Sequence, residues 1–442
     1  MKKFWCLFLI LLLLLGCKAE PIEQIPVAPA AERTPASAEE TVITAAPQPT
    51  LSAVPMPEPT AGPTPVPSAP PTEAPTPEPT PEPTPAPISE EQRLYAWIEQ
   101  MSPEEKIGQL CMFGFSGTKE ISSEFRKIMQ DFHVGNVILY GMNVARTNSD
   151  GGFAQCRRLS DSVRAASRSG IPLLISTDVE GGTVTRFKWS TSLSSAKTLG
   201  SKNDAEKAES QFRYIAEGLL SAGINVDLAP CLDVAKDPSS TFLGNRIISS
   251  DEARVARIGA ACVEGLHEGG CLSVVKHFPG HGATTADSHA STPVVNKSLD
   301  ALSRYELVPF AEVLNEADGV MVAHILYPNV DGEHIASQSE IFITGLLRET
   351  YGFEGIVMSD DFRMSGLRSQ ISPKKGAVQF ILAGGDLILC GANHTYQRQI
   401  LEGLTEAVEN GTISEARLNE SVYRILTAKM RVTGWDPFEN EE

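Results

Sequence analysis

"CLSVVKHFPGHGATTADSH", residues 271–289, is the stretch on which the fold turns. It opens with an apolar, β-branched run that reads as a buried strand. It continues as a loop crowded with Lys276, Asp287 and three of the chain's eight histidines, His277, His281 and His289. Polar, turn-rich stretches of this kind are ordinarily surface loops. A buried strand that opens directly into titratable side chains points instead to a fold that gathers function at its strand ends.

Seven other short apolar runs have the same form: "QLCMFGF" (109–115), "VGNVILY" (134–140), "IPLLIST" (171–177), "INVDLA" (224–229), "DGVMVAH" (318–324), "FEGIVMS" (353–359) and "GDLILC" (385–390). Helical patterns lie between them, including 204–223, 251–270 and 300–317. Each of these three opens with an aspartate as a candidate cap, and two end at glycine. Alternating strands and helices predict a parallel sheet. Eight units in about 350 residues predict an α/β fold, a (β/α)8 TIM-type barrel, as a single catalytic domain. No GxGxxG follows the first strand and no GxxxxGK[ST] occurs, so nucleotide-binding folds are not indicated.

A barrel carries its catalytic residues at the C-terminal ends of the strands. The ends here carry Asp178, then Asp227 and Asp233, then Lys276 and His277, then His324, then Asp360 and Asp361. Charged residues at that many ends exceed what ordinary solvent exposure explains.

The chain begins "MKKFWCLFLILLLLLGC". Two lysines before a short apolar run read as a secretory signal over 1–16, and the Gly16-Cys17 junction resembles a bacterial lipobox in which Cys17 is lipidated. Residues 17–88 hold 21 of the chain's 31 prolines and few large apolar residues, so they are expected to be a disordered, semi-rigid tether. The catalytic domain is expected over 89–435, followed by a tail over 436–442. A net charge of −18 argues against nucleic acid and against electrostatic membrane binding. The expected location is the outer face of a bacterial cell membrane, with membrane attachment only through the lipid, as a monomer. Cys111, Cys156, Cys231, Cys262, Cys271 and Cys390 form no CxxC pair and define no disulfide framework.

Read as chemistry, the loop admits several possibilities. His277-x3-His281 with Asp287 and His289 has the look of a zinc site, but the Phe-Pro-Gly between the histidines interrupts the helix such a pair needs. No metal is expected. No GxSxG elbow is present, and "DSH" crowds three groups into three residues, which is not how a serine triad assembles. Schiff-base chemistry at Lys276 remains conceivable for a strand-end lysine.

Six longer motifs carry a resemblance: "STDVEGGTVTRF" (176–187), "DLAPCLDVAKDP" (227–238), "GNRIISSD" (244–251), "KHFPGHGATTADSH" (276–289), "MVAHILYP" (321–328) and "GIVMSDDFRM" (355–364). In order and spacing they resemble glycoside hydrolase family 3, in its single-domain bacterial β-N-acetylhexosaminidase branch. The resemblance implies a retaining reaction with Asp360 as nucleophile and Asp287 with His289 as the acid/base dyad. It assigns sugar binding to Asp178, Arg186, Arg246, Lys276 and His277, and needs no cofactor. Asp361, next to the nucleophile, is expected to point the other way. His281 is expected to hold the loop, and His324 is a candidate lining residue. Ile247-Ile248 and the threonines of "GGTVTR" depart from the family pattern and are expected to bear on the aglycone side.

The implied activity is removal of terminal β-GlcNAc from GlcNAc-MurNAc wall fragments or chitooligosaccharides. A phosphorylase of the same branch, or a non-catalytic wall-binding lipoprotein, are the alternatives.

Overall fold

The computed structural model describes residues 89–236, 242–284, 288 and 291–439. The signal segment, Cys17 and the tether lie outside the described residues, as do Asp287 and His289.

Eight strands form one parallel sheet: β1 (Cys111–Gly114), β2 (Asn136–Ile138), β3 (Leu174–Thr177), β4 (Val226–Asp227), β5 (Leu272–Phe278), β6 (Gly319–Val322), β9 (Ile356–Ser359) and β10 (Ile388–Cys390). A short antiparallel hairpin, β7 (Leu326–Tyr327) and β8 (Asp331–Ile335), follows β6. β10 pairs with β1, with Cys111 opposite Ile388. β9 meets β10 through Ser359 N–H on Leu387 O at 3.0 Å and Asp386 N–H on Val357 O at 2.8 Å. The ring of strands is therefore closed, and the fold is the expected (β/α)8 barrel. Every residue of these eight strands is buried, because helices cover the outside and side chains fill the inside.

Two expected helices form with their expected caps. Asp204 accepts from Lys207 N at the start of Ala205–Ser221, and Asp251 accepts from Arg254 N at the start of Glu252–Glu268. Each such cap contributes about 1 kcal/mol. The pattern over 300–317 is corrected. It breaks into Leu299–Ser303, capped by Ser298 rather than Asp300, and Val308–Val313, with Pro309 in its first turn. A proline is tolerated at a helix start and disrupts a helix interior, so one helix becomes two.

β5 contains a register shift against β6 between Lys276 and Phe278. Successive residues of a regular strand face opposite sides. The bulge re-aims the strand at its end, so neighbouring Lys276 and His277 both reach the mouth of the barrel.

Candidate active site

A cavity of about 410 Å³ opens at the C-terminal mouth of the barrel. Its β3–β5 side is built from two carboxylates and three cations. Asp178, directly after β3, accepts from Lys276 Nζ at 2.8 Å and from Arg186 Nη2 at 2.8 Å. Glu180 accepts from Arg246 through two parallel bonds of 2.8 Å and meets Lys276 Nζ at 2.7 Å. Lys276 thus bridges both acids while nearly fully buried.

Burial alone would raise both acids. The Lys276 ammonium with the Arg186 guanidinium outweighs it at Asp178 and holds that carboxyl well below the usual range. Arg246 and Lys276 do the same at Glu180, to about 2. For Lys276, burial favours the neutral amine, but Asp178 and Glu180 overcome it and raise its pKa. All three groups are charged at neutral pH, and a protonated Lys276 offers no nucleophile for a Schiff base.

His277 is held from both ring nitrogens. Arg246 Nη2 lies 3.2 Å from Nε2 and can only donate, so Nε2 accepts and Nδ1 carries the hydrogen. Nδ1–H donates to Asp233 Oδ2 at 2.5 Å, and the Cys231 thiol donates to the same oxygen at 3.2 Å. Cys231, Asp233 and His277 are the one group among the described residues whose atoms lie close enough together to hold a metal ion. A ligand nitrogen must offer a lone pair, and here Nδ1 is committed as a donor while the fixed guanidinium occupies Nε2. The trio is better matched to its hydrogen bonds than to an ion.

Asp360 and Asp361 follow β9, and both line the cavity. This corrects the expectation that Asp361 points away. The chain has left the strand after Ser359, so the alternation of a strand no longer applies. The two differ in what they hold. Asp361 is buried and saturated: Arg363 binds it with two nitrogens at 2.7 to 3.2 Å, Tyr140 O–H donates at 2.9 Å and Gly391 N–H donates at 3.1 Å. Asp360 is the more exposed, and its Oδ1 accepts Asp361 N–H at 2.7 Å. The Arg363 guanidinium also lies 5.2 Å over the Tyr140 ring.

The structure thus brings Asp178, Arg186, Arg246, Lys276, His277 and Asp360 around one cavity. His324 is corrected. It is fully buried outside the cavity wall, with Nδ1 on Ser337 Oγ at 2.7 Å and its ring against Phe362. Burial lowers its pKa. Ile247 and Ile248 are buried core residues, so their departure from the family pattern does not face an aglycone. Glu180, Tyr140 and Arg363 were missed as site residues, while Asp233, named as a strand-end residue, holds His277 from behind instead of lining the cavity. Glu180 lay inside the "DVEGG" motif and Asp233 at the end of the fourth run, but neither residue announces its cation or histidine partner in sequence.

Fold and site together define the class, a barrel glycoside hydrolase. Residues 102–428 match the model of the glycosyl hydrolase family 3 N terminal domain, and the chain belongs to that family. It is 31% identical over 304 residues to a beta-hexosaminidase of Idiomarina loihiensis, covering 67% of this chain and 88% of the relative. It is 30% identical over 340 residues to the beta-hexosaminidase LpqI of Mycobacterium tuberculosis, covering 74% and 83%. A solved family 3 beta-N-acetylglucosaminidase from Paenibacillus sp. FPU-7 superposes with a TM-score of 0.70 at 38% identity, over 75% of this chain and 62% of that one.

Proposed function

We propose that the protein is an exo-acting, retaining β-N-acetylhexosaminidase that removes terminal β-GlcNAc from GlcNAc-MurNAc wall fragments or chitooligosaccharides. The observation that carries this reading is that Asp360 lines the same cavity as a prearranged hydroxyl-binding wall of Asp178, Arg186, Arg246, Lys276 and His277. The names borne by its relatives support the amino sugar.

In the first step an Asp360 oxygen attacks the anomeric carbon, the bond to the leaving oxygen breaks, and His289, oriented by Asp287, supplies that oxygen with a proton. In the second, His289 takes a proton from water, the water oxygen attacks the same carbon and the bond to Asp360 breaks. Asp178 accepts from sugar hydroxyls, and Lys276 and Arg246 donate to them. These groups are already fixed by one another, so binding a sugar orders little that was not ordered before. The carboxylates around the cavity favour the positive charge that develops on the sugar ring. No cofactor takes part.

Residues 1–16 direct export, Cys17 carries lipid, 17–88 tether the barrel of 89–435 to the outer face of the membrane, and 436–442 form a tail. No helix among the described residues is long and apolar enough to cross a membrane. Cys17→Ala is expected to move the protein from the membrane fraction to the medium or wall fraction.

The decisive assay compares the protein with Asp360→Asn on 4-nitrophenyl β-GlcNAc, β-glucoside and β-xyloside. Turnover of the GlcNAc substrate, lost in the variant, is expected. Equal inactivity of both proteins on every β-hexosaminide would end the enzyme reading. A fluorinated sugar is expected to label Asp360, and a label on Asp361 would reassign the nucleophile. Phosphate-stimulated turnover yielding a sugar 1-phosphate would make the protein a phosphorylase.

A further inference from the structure

We infer that His281 is a positioning residue for the acid/base, acting through Ser288. The inference rests on the reading of Asp287 and His289 as the dyad, because Ser288 sits between them in the chain.

Among the described residues, two bonds hold Ser288. Its Oγ lies 2.9 Å from His281 Nε2, and its carbonyl accepts Gly366 N–H at 2.9 Å. A Cβ at Gly366 would come within 3.1 Å of that carbonyl, so glycine permits the approach.

The tautomer of His281 follows from its neighbours. Thr284 Oγ1 donates its hydrogen to His281 O at 2.9 Å and lies 2.7 Å from His281 Nδ1. With its hydrogen spent, Thr284 Oγ1 accepts, so Nδ1 carries the ring hydrogen and Nε2 is an acceptor. Ser288 therefore donates to Nε2, and its side chain has one direction. Burial, and then His277, lower the His281 pKa to about 4, so the ring keeps this neutral form.

His281 is in turn anchored. Its backbone N–H donates to Asp233, the same carboxylate that holds His277, and Phe242 packs edge-on against its ring at 4.7 Å. Gly282 lies so close to Val234 O that a Cβ would come within 2.0 Å. One buried aspartate thus holds a sugar-binding histidine and, through His281, reaches Ser288.

The test uses kcat/KM, which reports the step through glycosyl-enzyme formation. A general acid matters for a poor leaving group and little for 4-nitrophenolate. His281→Ala and Ser288→Ala are each expected to lower kcat/KM for chitobiose by on the order of 10²-fold. For 4-nitrophenyl β-GlcNAc the loss is expected to stay below about fivefold, because an activated leaving group needs little of the 10²- to 10⁴-fold that an acid supplies. The double variant is expected to lose no more than the worse single one, since both remove one contact. His281→Gln, which restores an acceptor towards Ser288, is expected to recover part of the loss. Equal losses on the two substrates, or additive losses in the double variant, would overturn the inference. Asp287→Ala and His289→Ala, run beside them, separate the two readings. If they spare chitobiose turnover, the dyad assignment fails and the inference falls with it. If they show the leaving-group-dependent loss and His281→Ala does not, the inference alone fails.

Discussion

Lys276 keeps its charge with 2% of its side chain exposed because Asp178 and Glu180 both accept from it. Its removal would leave two buried carboxylates short of a partner. Lys276→Met is therefore expected to destabilise the fold by about 3–5 kcal/mol and to abolish turnover, read by denaturant unfolding and by kcat/KM. The acids set a pH limit of opposite sign to a histidine switch. Glu180 has a folded pKa of about 2 against an ordinary 4.5, so its stabilising contribution is fully present above about pH 4.5 and is lost as pH falls towards 2. Asp178 shifts in the same direction. Acid unfolding is expected to steepen in that window, and Glu180→Gln with its paired cation left in place is expected to be less stable at pH 7 and to flatten the acid limb. Asp178, Lys276 and His277 were legible in the sequence because strand ends are legible, and Arg186 only through the family motif that contains it. Tyr140 and Arg363 were not, because their relevance lies in a carboxylate 221 residues away from one and two residues away from the other.

Helices Ala205–Ser221 and Glu252–Glu268 meet closely enough that a Cβ on Gly265 would stand 2.2 Å from Glu209 O. Gly265→Ala must push the helices apart, and a loss of about 1–3 kcal/mol is expected by urea unfolding although alanine is the better helix former. The C-terminal helix, Glu415–Thr433, docks through Lys429, whose Nζ meets Gln109 Oε1 at 2.5 Å and Gly135 O at 2.9 Å. Burial lowers its pKa from 10.5 to about 7. Between about pH 7 and 10.5 the unfolded chain binds the proton that the folded one releases, so stability rises with pH across that range. The thermal midpoint is expected to climb from pH 7 to 9, and Lys429→Met is expected to remove that slope. Sequence periodicity located both helices and both aspartate caps. It passed over the break within 300–317, because the apolar spacing runs on through Pro309, the residue that divides the segment.

As a whole molecule the protein is strongly acidic, with a net charge of −18, while its cavity pairs nearly every cation with an acid. A neutral chitooligosaccharide should feel little of that field, whereas a muramic-acid-bearing fragment carries a carboxylate that the field repels. Raising ionic strength from 50 to 500 mM is expected to change kcat/KM for chitobiose by less than about twofold and to raise it for GlcNAc-MurNAc, with stopped assays of released GlcNAc as the measure.

By itself the sequence determined the barrel, the family and most of the strand-end chemistry, because apolar periodicity and local motifs survive in one dimension. Only the tertiary structure decided that His324 is core and that Asp361 faces the cavity yet is saturated. It alone showed that a bulge turns Lys276 and His277 to the same side, and that Asp233 anchors two histidines. Each of these depends on which distant atoms satisfy a buried polar group, and that is settled when the strands close into a ring.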